Sequence, residues 1–258
     1  MRLATWNVNS VTARLPRLLE WLDGTSPDVV CLQETKTSDF PVREVRDLGY
    51  QVAALGTGRW NGVALLSRVG LDEVAEGFDG QPGFPDPEAR AIGATCGGVR
   101  VWSVYVPNGR TVDDPHYTYK LEWLAALRTA LAPTVAAGAS FAVCGDFNVA
   151  PTDADVWDPS AFVGATHVTA PEREALTALL GTGLRDIVPE PMKGPNPFTY
   201  WDYRAGNFHK DMGMRIDLVY VTPVVADHVS RAYIDREARK GKGPSDHAPI
   251  VVDFDVVS

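Results

Sequence analysis

Short apolar runs of β type alternate with amphipathic helical stretches along the whole chain, uninterrupted by a linker, a low-complexity tract or a convincing repeat. Apolar strands must be covered, and helices with one apolar stripe are what covers them. The pattern therefore predicts a single α/β domain over residues 1–258. The expected order is a strand at LATWNVN, a helix from Arg14 to Asp23, and strands at DVVCLQE, YQVAALG and NGVALLS. ARAIGATC and VRVWSVYV flank Gly97 and Gly98, a two-residue hairpin signal. A helix follows from Tyr117 to Leu131, with Leu121, Leu124, Leu127 and Leu131 on one face.

FAVCGDFN reads as a buried strand, and PEREALTALLG as a helix with Pro at its start and Gly at its end. FTYWDYR, MRIDLVYVT, VSRAYIDR and APIVVDFDV read as further strands. Hairpins mixed with few helices predict a layered α/β sandwich with mixed or largely antiparallel sheets, not a βαβ repeat. Three Pro/Gly-rich segments, Gly77 to Pro87, Ala150 to Ala170 and Pro189 to Pro197, are long enough to be functional loops.

Composition excludes some classes. At 45% hydrophobic residues the chain is too apolar to be disordered, and no run approaches the roughly 18 apolar residues of a membrane span. The start, MRLATWNVNS, has no signal-peptide pattern, so the expectation is a chain that starts natively and is cytoplasmic. Cys31, Cys96 and Cys144 are odd in number and lack metal-type spacing, which reads as reduced core cysteine. A net charge of −9 is repelled by phosphate backbones unless basic residues are grouped.

The polar residues gather where apolar strands end. Asn7 and Asn9 end the first strand, Glu34 ends DVVCLQE, and Asp146 and Asn148 end FAVCGDFN. Asp217 interrupts an apolar run, and Asp246 and His247 precede the last strand. Side-chain alternation puts Asn7 with Asn9, and Asp146 with Asn148, on common faces. The alternatives are a helix cap for Asn9 and an Asx turn at Asp146-Phe147-Asn148. Asp217 is costly to bury without a partner, and His247 would supply one. An oxygen-rich set without cysteine suits Mg²⁺ or Mn²⁺ rather than structural Zn²⁺, and points to metal-assisted phosphodiester hydrolysis.

TWNVNSVTARL, LQETK, NGVALLSR, YVPNGR, GDFNVAPTD, TYWDYR, GMRIDLVYV and PSDHAPIVVDF occur in this order over the whole chain. Together they resemble the exonuclease III family of DNA repair nucleases and apurinic/apyrimidinic endonucleases. That resemblance implies a DNase I-like, four-layered α/β sandwich with two mixed, mainly antiparallel sheets between helices. It also implies hydrolysis 5' of abasic sites and 3'-5' trimming of duplex DNA ends, with Mg²⁺ as cofactor and Mn²⁺ able to substitute. On the matching positions Glu34 is the principal metal ligand with Asn7 beside it, and Asp246 assists. Asp146 orients or deprotonates water, and Asn148 bonds the scissile phosphate; both are also placed near the metal. His247, held by Asp217, contacts the same phosphate at the metal site, and Tyr105 approaches it. Tyr200, Met214 and Ile216 line a pocket for the flipped-out abasic sugar.

Arg236, Arg239, Lys240 and Lys242 fall within seven residues, broken by Glu237. With Lys36, Arg90, Arg110, Lys120, Arg204 and Lys210 near the motif loops, they predict a basic rim that positions a duplex. The partner expected is double-stranded DNA, with no membrane, and the protein is expected to be monomeric. The alternative reading keeps the metal site but gives it another phosphoester, as in a phosphatase or RNase of the wider superfamily.

Overall fold

The computed structural model describes residues 1–256. The first half of the chain holds β1 (Arg2–Asn7), α1 (Val11–Thr25), β2 (Val29–Gln33), α2 (Val42–Arg46), β3 (Gln51–Leu55), β4 (Val63–Ser67), β5 (Asp72–Glu76), β6 (Ala91–Cys96) and β7 (Val99–Tyr105). The second half adds α3 (Pro115–Ala136), β8 (Phe141–Asp146), α4 (Ala170–Leu180), β9 (Arg185–Asp186), β10 (Glu190–Pro191), β11 (Asp217–Val221), β12 (Val229–Ile234) and β13 (Ile250–Phe254). One sheet runs β10-β12-β13-β1-β2-β4-β3 and the other β5-β6-β7-β8-β11-β9. Within them β1/β2, β7/β8 and β10/β12 are parallel, and the remaining pairs are antiparallel.

Side-chain alternation makes four layers out of these two sheets. In β7, Val99 and Val101 point between the sheets, while Trp102 and Val104 point outward onto Tyr119, Trp123 and Leu127 of α3. In β1, Leu3 faces the other sheet, while Ala4 and Trp6 meet Leu18, Trp21 and Leu22 of α1. Truncating a buried aromatic such as Trp123 costs about 3–5 kcal/mol. The hairpin between β6 and β7 turns through Gly97 and Gly98 with φ of 54° and 81°, values that two consecutive L side chains rarely adopt.

Helix starts follow local chemistry. Ser10, not Asn9, caps α1, which begins at Val11 and so three residues before the expected Arg14. Asp114 caps α3 with Pro115 in its first turn, and Thr169 with Glu172 forms a capping box on α4. The three cysteines are free and buried. Among the described residues no helix is long and apolar enough to cross a membrane.

FTYWDYR is not a strand. The Thr199 and Tyr200 N–H groups both bond Met214 O, and the Trp201 N–H bonds Asp246 O, which leaves only isolated bridges to Met214 and His247. The aromatic side chains there are seated separately, not along a ladder. The edge strand β5, DEVAE, escaped the sequence reading because it is charged and exposed.

The strand directions matter most for chemistry. β1 and β2 end together, and β13, antiparallel to β1, begins at that same edge. β7 and β8 end together, and Asp217 at the start of β11 pairs with Asp146 at the end of β8. Six strand termini from both sheets thus meet along one edge.

Candidate active site

Asn7, the last residue of β1, is fully buried. Its Nδ2 donates to Glu34 Oε1 at 2.8 Å and to Asp146 Oδ2 at 2.9 Å, tying three strand ends together. Its Oδ1 accepts the Asn9 N–H at 3.0 Å, an Asx turn that carries Asn9 (φ 46°) off the strand. Asn7 and Asn9 therefore do not share a strand face. Asn9 instead donates to Asp246 Oδ1 at 3.0 Å and accepts from Lys36 Nζ at 2.6 Å.

Glu34 follows β2 with φ 52°, and Lys36 Nζ lies 2.5 Å from its Oε2. Burial pushes the Glu34 carboxyl up, but Lys36 and the Asn7 amide outweigh it and hold the group below the ordinary glutamate value. Asp146 is 1% exposed, and its Oδ1 accepts the Asn148 N–H at 2.9 Å. The Asx turn at Asp146-Phe147-Asn148 and a site carboxylate are thus the same feature. Burial raises Asp146 to about 7 against the opposing pull of His247. Asn148 (φ 52°) donates from Nδ2 to Val106 O at 3.0 Å, and its Oδ1 accepts from Asn108 Nδ2 at 3.2 Å.

His247 Nδ1 lies 2.7 Å from Asp217 Oδ2, and its Nε2 lies 3.8 Å from Asp146 Oδ2. Burial favours the neutral ring, but Asp217 and then Asp146 overcome it and raise His247 to about 10. The two carboxylates thus favour the protonated ring. Asp217 is fixed in turn by its N–H on Thr199 Oγ1 at 3.1 Å. Burial and the Glu34 carboxylate, which the Tyr105 hydroxyl meets, hold Tyr105 well above the ordinary tyrosine value. Arg90 stacks 4.9 Å above the Tyr105 ring.

Glu34, Asp146 and His247 present ligand atoms that all lie within 4.8 Å of one another. The two carboxylates suit a hard divalent cation. His247 Nδ1 is engaged by Asp217, which leaves Nε2 on the side of Asp146, and Asn7 as turned offers N–H rather than oxygen. Asp246 stands outside this group, bonded to Asn9 and, at 3.4 Å, to Ser245 Oγ.

Tyr200 packs its ring 4.9 Å from the His247 ring and adjoins an apolar cluster of Ala150, Val156, Met214 and Ile216. Met214 and Ile216 are only 6% and 3% exposed, so this cluster is filled by its own side chains.

The expected basic rim is only partly a surface feature. Lys120 is 0% exposed, Arg90 4% and Arg239 6%, so none of the three is a surface cation. Arg90 is bonded to Glu88 at 2.6 Å and to Tyr105 O at 3.2 Å, and Arg239 donates to Trp201 O at 3.2 Å. Arg236 pairs with Asp211, Lys240 with Glu237, Arg204 with Asp202, and Arg110 with Asp114. Among the described residues Lys210 and Lys242 are exposed and form no ion pair.

The sequence reading missed Asn108, His167, Glu172 and Thr199. His167 sits on the loop before α4 with φ 81°, its Nδ1 2.5 Å from Asn148 O, and burial and then Lys120 lower it to about 4. No sequence pattern marks it. Lys120 was detectable as buried, since it shares a helical stripe with Trp123, Leu124, Leu127 and Leu131.

The profile of the endonuclease/exonuclease/phosphatase family matches residues 4–247. The chain is 30% identical over 265 residues to an exodeoxyribonuclease of Bacillus subtilis, spanning 97% of this chain and 98% of that one. A Neisseria 3' phosphatase solved with a product DNA hairpin superposes with a TM-score of 0.94 at 36% identity, over 99% of this chain and 100% of the other. An AP endonuclease from Archaeoglobus fulgidus superposes with a TM-score of 0.93 at 35% identity, again over 99% and 100%.

Proposed function

The chain belongs to the endonuclease/exonuclease/phosphatase family, and from that premise we propose a single-domain, monomeric, cytoplasmic DNA repair nuclease that uses Mg²⁺ to hydrolyse phosphoester bonds at 3' ends of duplex DNA. The observation that carries this reading is the run Asp217–His247–Asp146–Asn7–Glu34 at one sheet edge, buried as far as Asn7 and half-buried at Glu34. It joins an imidazole held by Asp217, a carboxyl raised by burial and a carboxylate that Lys36 and Asn7 hold below the ordinary glutamate value.

Glu34 and Asp146 would hold the cation, which would supply positive charge to the phosphate and a more acidic water. Asp146 would orient the attacking water and accept its proton from this edge of the sheet. His247 donates to the phosphate oxygen on which charge develops, and Asp217 keeps the ring oriented. Asn148 and Tyr105 border the same edge and would position the phosphate.

Incision 5' of abasic sites is the second reading, favoured by Tyr200 beside His247 at the mouth of the Met214/Ile216 cluster. An abasic sugar entering there must displace the side chains that fill the cluster, whereas a frayed 3' end need not enter it. Two matched duplexes, one with a recessed 3' end and one with an internal abasic site, assayed with Mg²⁺ and with EDTA, test both. Loss of both activities in EDTA is expected, with the 3' end the better substrate. Activity that survives EDTA would sink the metal assignment, and a preference for the abasic duplex would reverse the order of the two readings.

A further inference from the structure

A charged pair lies directly beneath the Asp146-Phe147-Asn148 turn with neither partner exposed. Lys120 on α3 and Glu172 on α4 are both 0% exposed, with Nζ 2.5 Å from Oε1. Lys120 Nζ also donates to Asn148 O at 2.6 Å, Asn108 O at 3.1 Å and Thr166 Oγ1 at 3.3 Å. Glu172 in turn accepts from Thr166 Oγ1 at 2.6 Å, the His167 N–H at 2.9 Å and the Thr169 N–H at 3.0 Å. Burying an ion pair seldom stabilises a fold more than apolar packing would, so stability alone is a weak reason for it.

The geometry points to a positional reason. Asn148 sits at φ 52°, a left-handed conformation that asparagine tolerates better than most side chains, and it is tied down there through both its carbonyl and its side chain. Its carbonyl is bonded by Lys120, and its side-chain oxygen by Asn108, whose own carbonyl is bonded by the same ammonium. Gly109 makes the approach possible, since a Cβ there would meet Thr166 Oγ1 at 2.6 Å and Lys120 Cδ at 3.1 Å. One ammonium thus joins three segments: the loop after β7, the turn after β8 and the loop before α4.

We propose that Lys120, with Glu172 as its counter-ion, is a positioning residue that fixes Asn148 for the chemical step and locks the 166–169 loop to it. This deepens the nuclease reading above and rests on it. The role is one of geometry: an ammonium in this place holds two backbone carbonyls and a carboxylate in one arrangement, which no neutral side chain reproduces.

The test separates geometry from stability. Lys120→Met alone leaves the buried Glu172 carboxylate without its counter-ion and takes one donor from each of two carbonyls, and is expected to lower the thermal midpoint strongly. Lys120→Met/Glu172→Gln removes both charges, keeps an acceptor for the helix cap, and should recover most of that midpoint. Its kcat on a recessed 3' end should stay about 10- to 100-fold below the wild type with KM changed less than about threefold, the signature of lost transition-state alignment. A core control, Leu127→Ala, should lose midpoint yet keep kcat at temperatures where it is folded. If kcat of the double variant returns with the midpoint, the positioning role is refuted and the pair is structural. Should the double variant not fold, Thr166→Val removes one acceptor of the ammonium and is expected to lower kcat about two- to fivefold at constant KM; an unchanged kcat refutes the role equally. Wild-type protein inactive on duplex DNA would instead refute the nuclease reading itself.

Discussion

Two charged regions of the molecule, the sheet edge and the 236–242 segment, behave in opposite ways. At the sheet edge, Asn7, Glu34, Asp146, Asp217 and His247 are enclosed and bonded to one another, and each expected residue stands at the edge where its strand ends. In the 236–242 segment three of the four cations expected to face DNA are engaged by the protein, Arg236 by Asp211, Arg239 by Trp201 O and Lys240 by Glu237, while Lys242 stays exposed. Burial leaves a carboxylate at a strand end few tolerable environments, so its sequence position constrains its role. A long cationic side chain on a loop can reach several carbonyls and carboxylates at little energetic difference, and only the tertiary fold decides among them.

The sharpest way to break this comparison is at its buried end. Asp146→Asn should retain DNA affinity while kcat falls about 10³-fold or more, because the proton acceptor and the alignment of the imidazole are removed together. Near-normal single-turnover rates would take Asp146 out of the chemistry. Asp217→Asn should lower kcat about 10²-fold through loss of ring orientation, and combining it with His247→Asn should add little beyond the histidine change alone. Additive losses would mean that the two groups act separately.

Proton linkage probes the same edge in the cation-free protein. Asp146 at about 7 and His247 at about 10 both lie above their ordinary values of 3.8 and 6.5. A raised folded-state value stabilises the fold at low pH and loses that contribution as pH rises. The Asp146 contribution fades between 3.8 and about 7, and that of His247 between 6.5 and about 10. The unfolding midpoint in EDTA should therefore fall over the upper window, and His247→Asn should flatten that decline. A midpoint that climbs with pH there contradicts the assignment.

The smallest effects belong to the basic segment. Removing Lys240 and Lys242 should change the slope of log K against log salt by about 0.9 for each contact actually made to phosphate. Arg239→Ala should leave that slope alone and lower the thermal midpoint instead, since its guanidinium is buried over the Tyr203 ring. A salt slope that responds to Arg239 would put the segment back on the DNA.

Much of the layered fold was legible because alternation within β1 and β7 assigns each residue to one of two apolar faces. FTYWDYR misled because it is rich in aromatic residues of strand type, yet Tyr200 and Trp201 pack in different places, on His247 and on Phe208. In the site, strand-end residues were readable one by one, yet Asn9 leaving its strand through an Asx turn was not. Lys120 was misassigned to the surface because its charge was weighed before its position on the apolar stripe of α3. His167 depends on a loop conformation with φ 81°, which no periodicity encodes.

The pairing of β1 with β13 also bears on how the enzyme comes into being. Asn7, Glu34 and Asp146 leave the ribosome well before His247, which follows Asp146 by 101 positions (247 − 146). At about 5–20 residues per second, a nascent chain spends about 5 to 20 s carrying the carboxylates without the imidazole that completes them. During that interval the β1 flank that β13 will occupy is unpaired, and the Trp6 indole lacks the His247 carbonyl it later bonds. The site is thus completed late in biosynthesis, once the segment that carries His247 has joined β1.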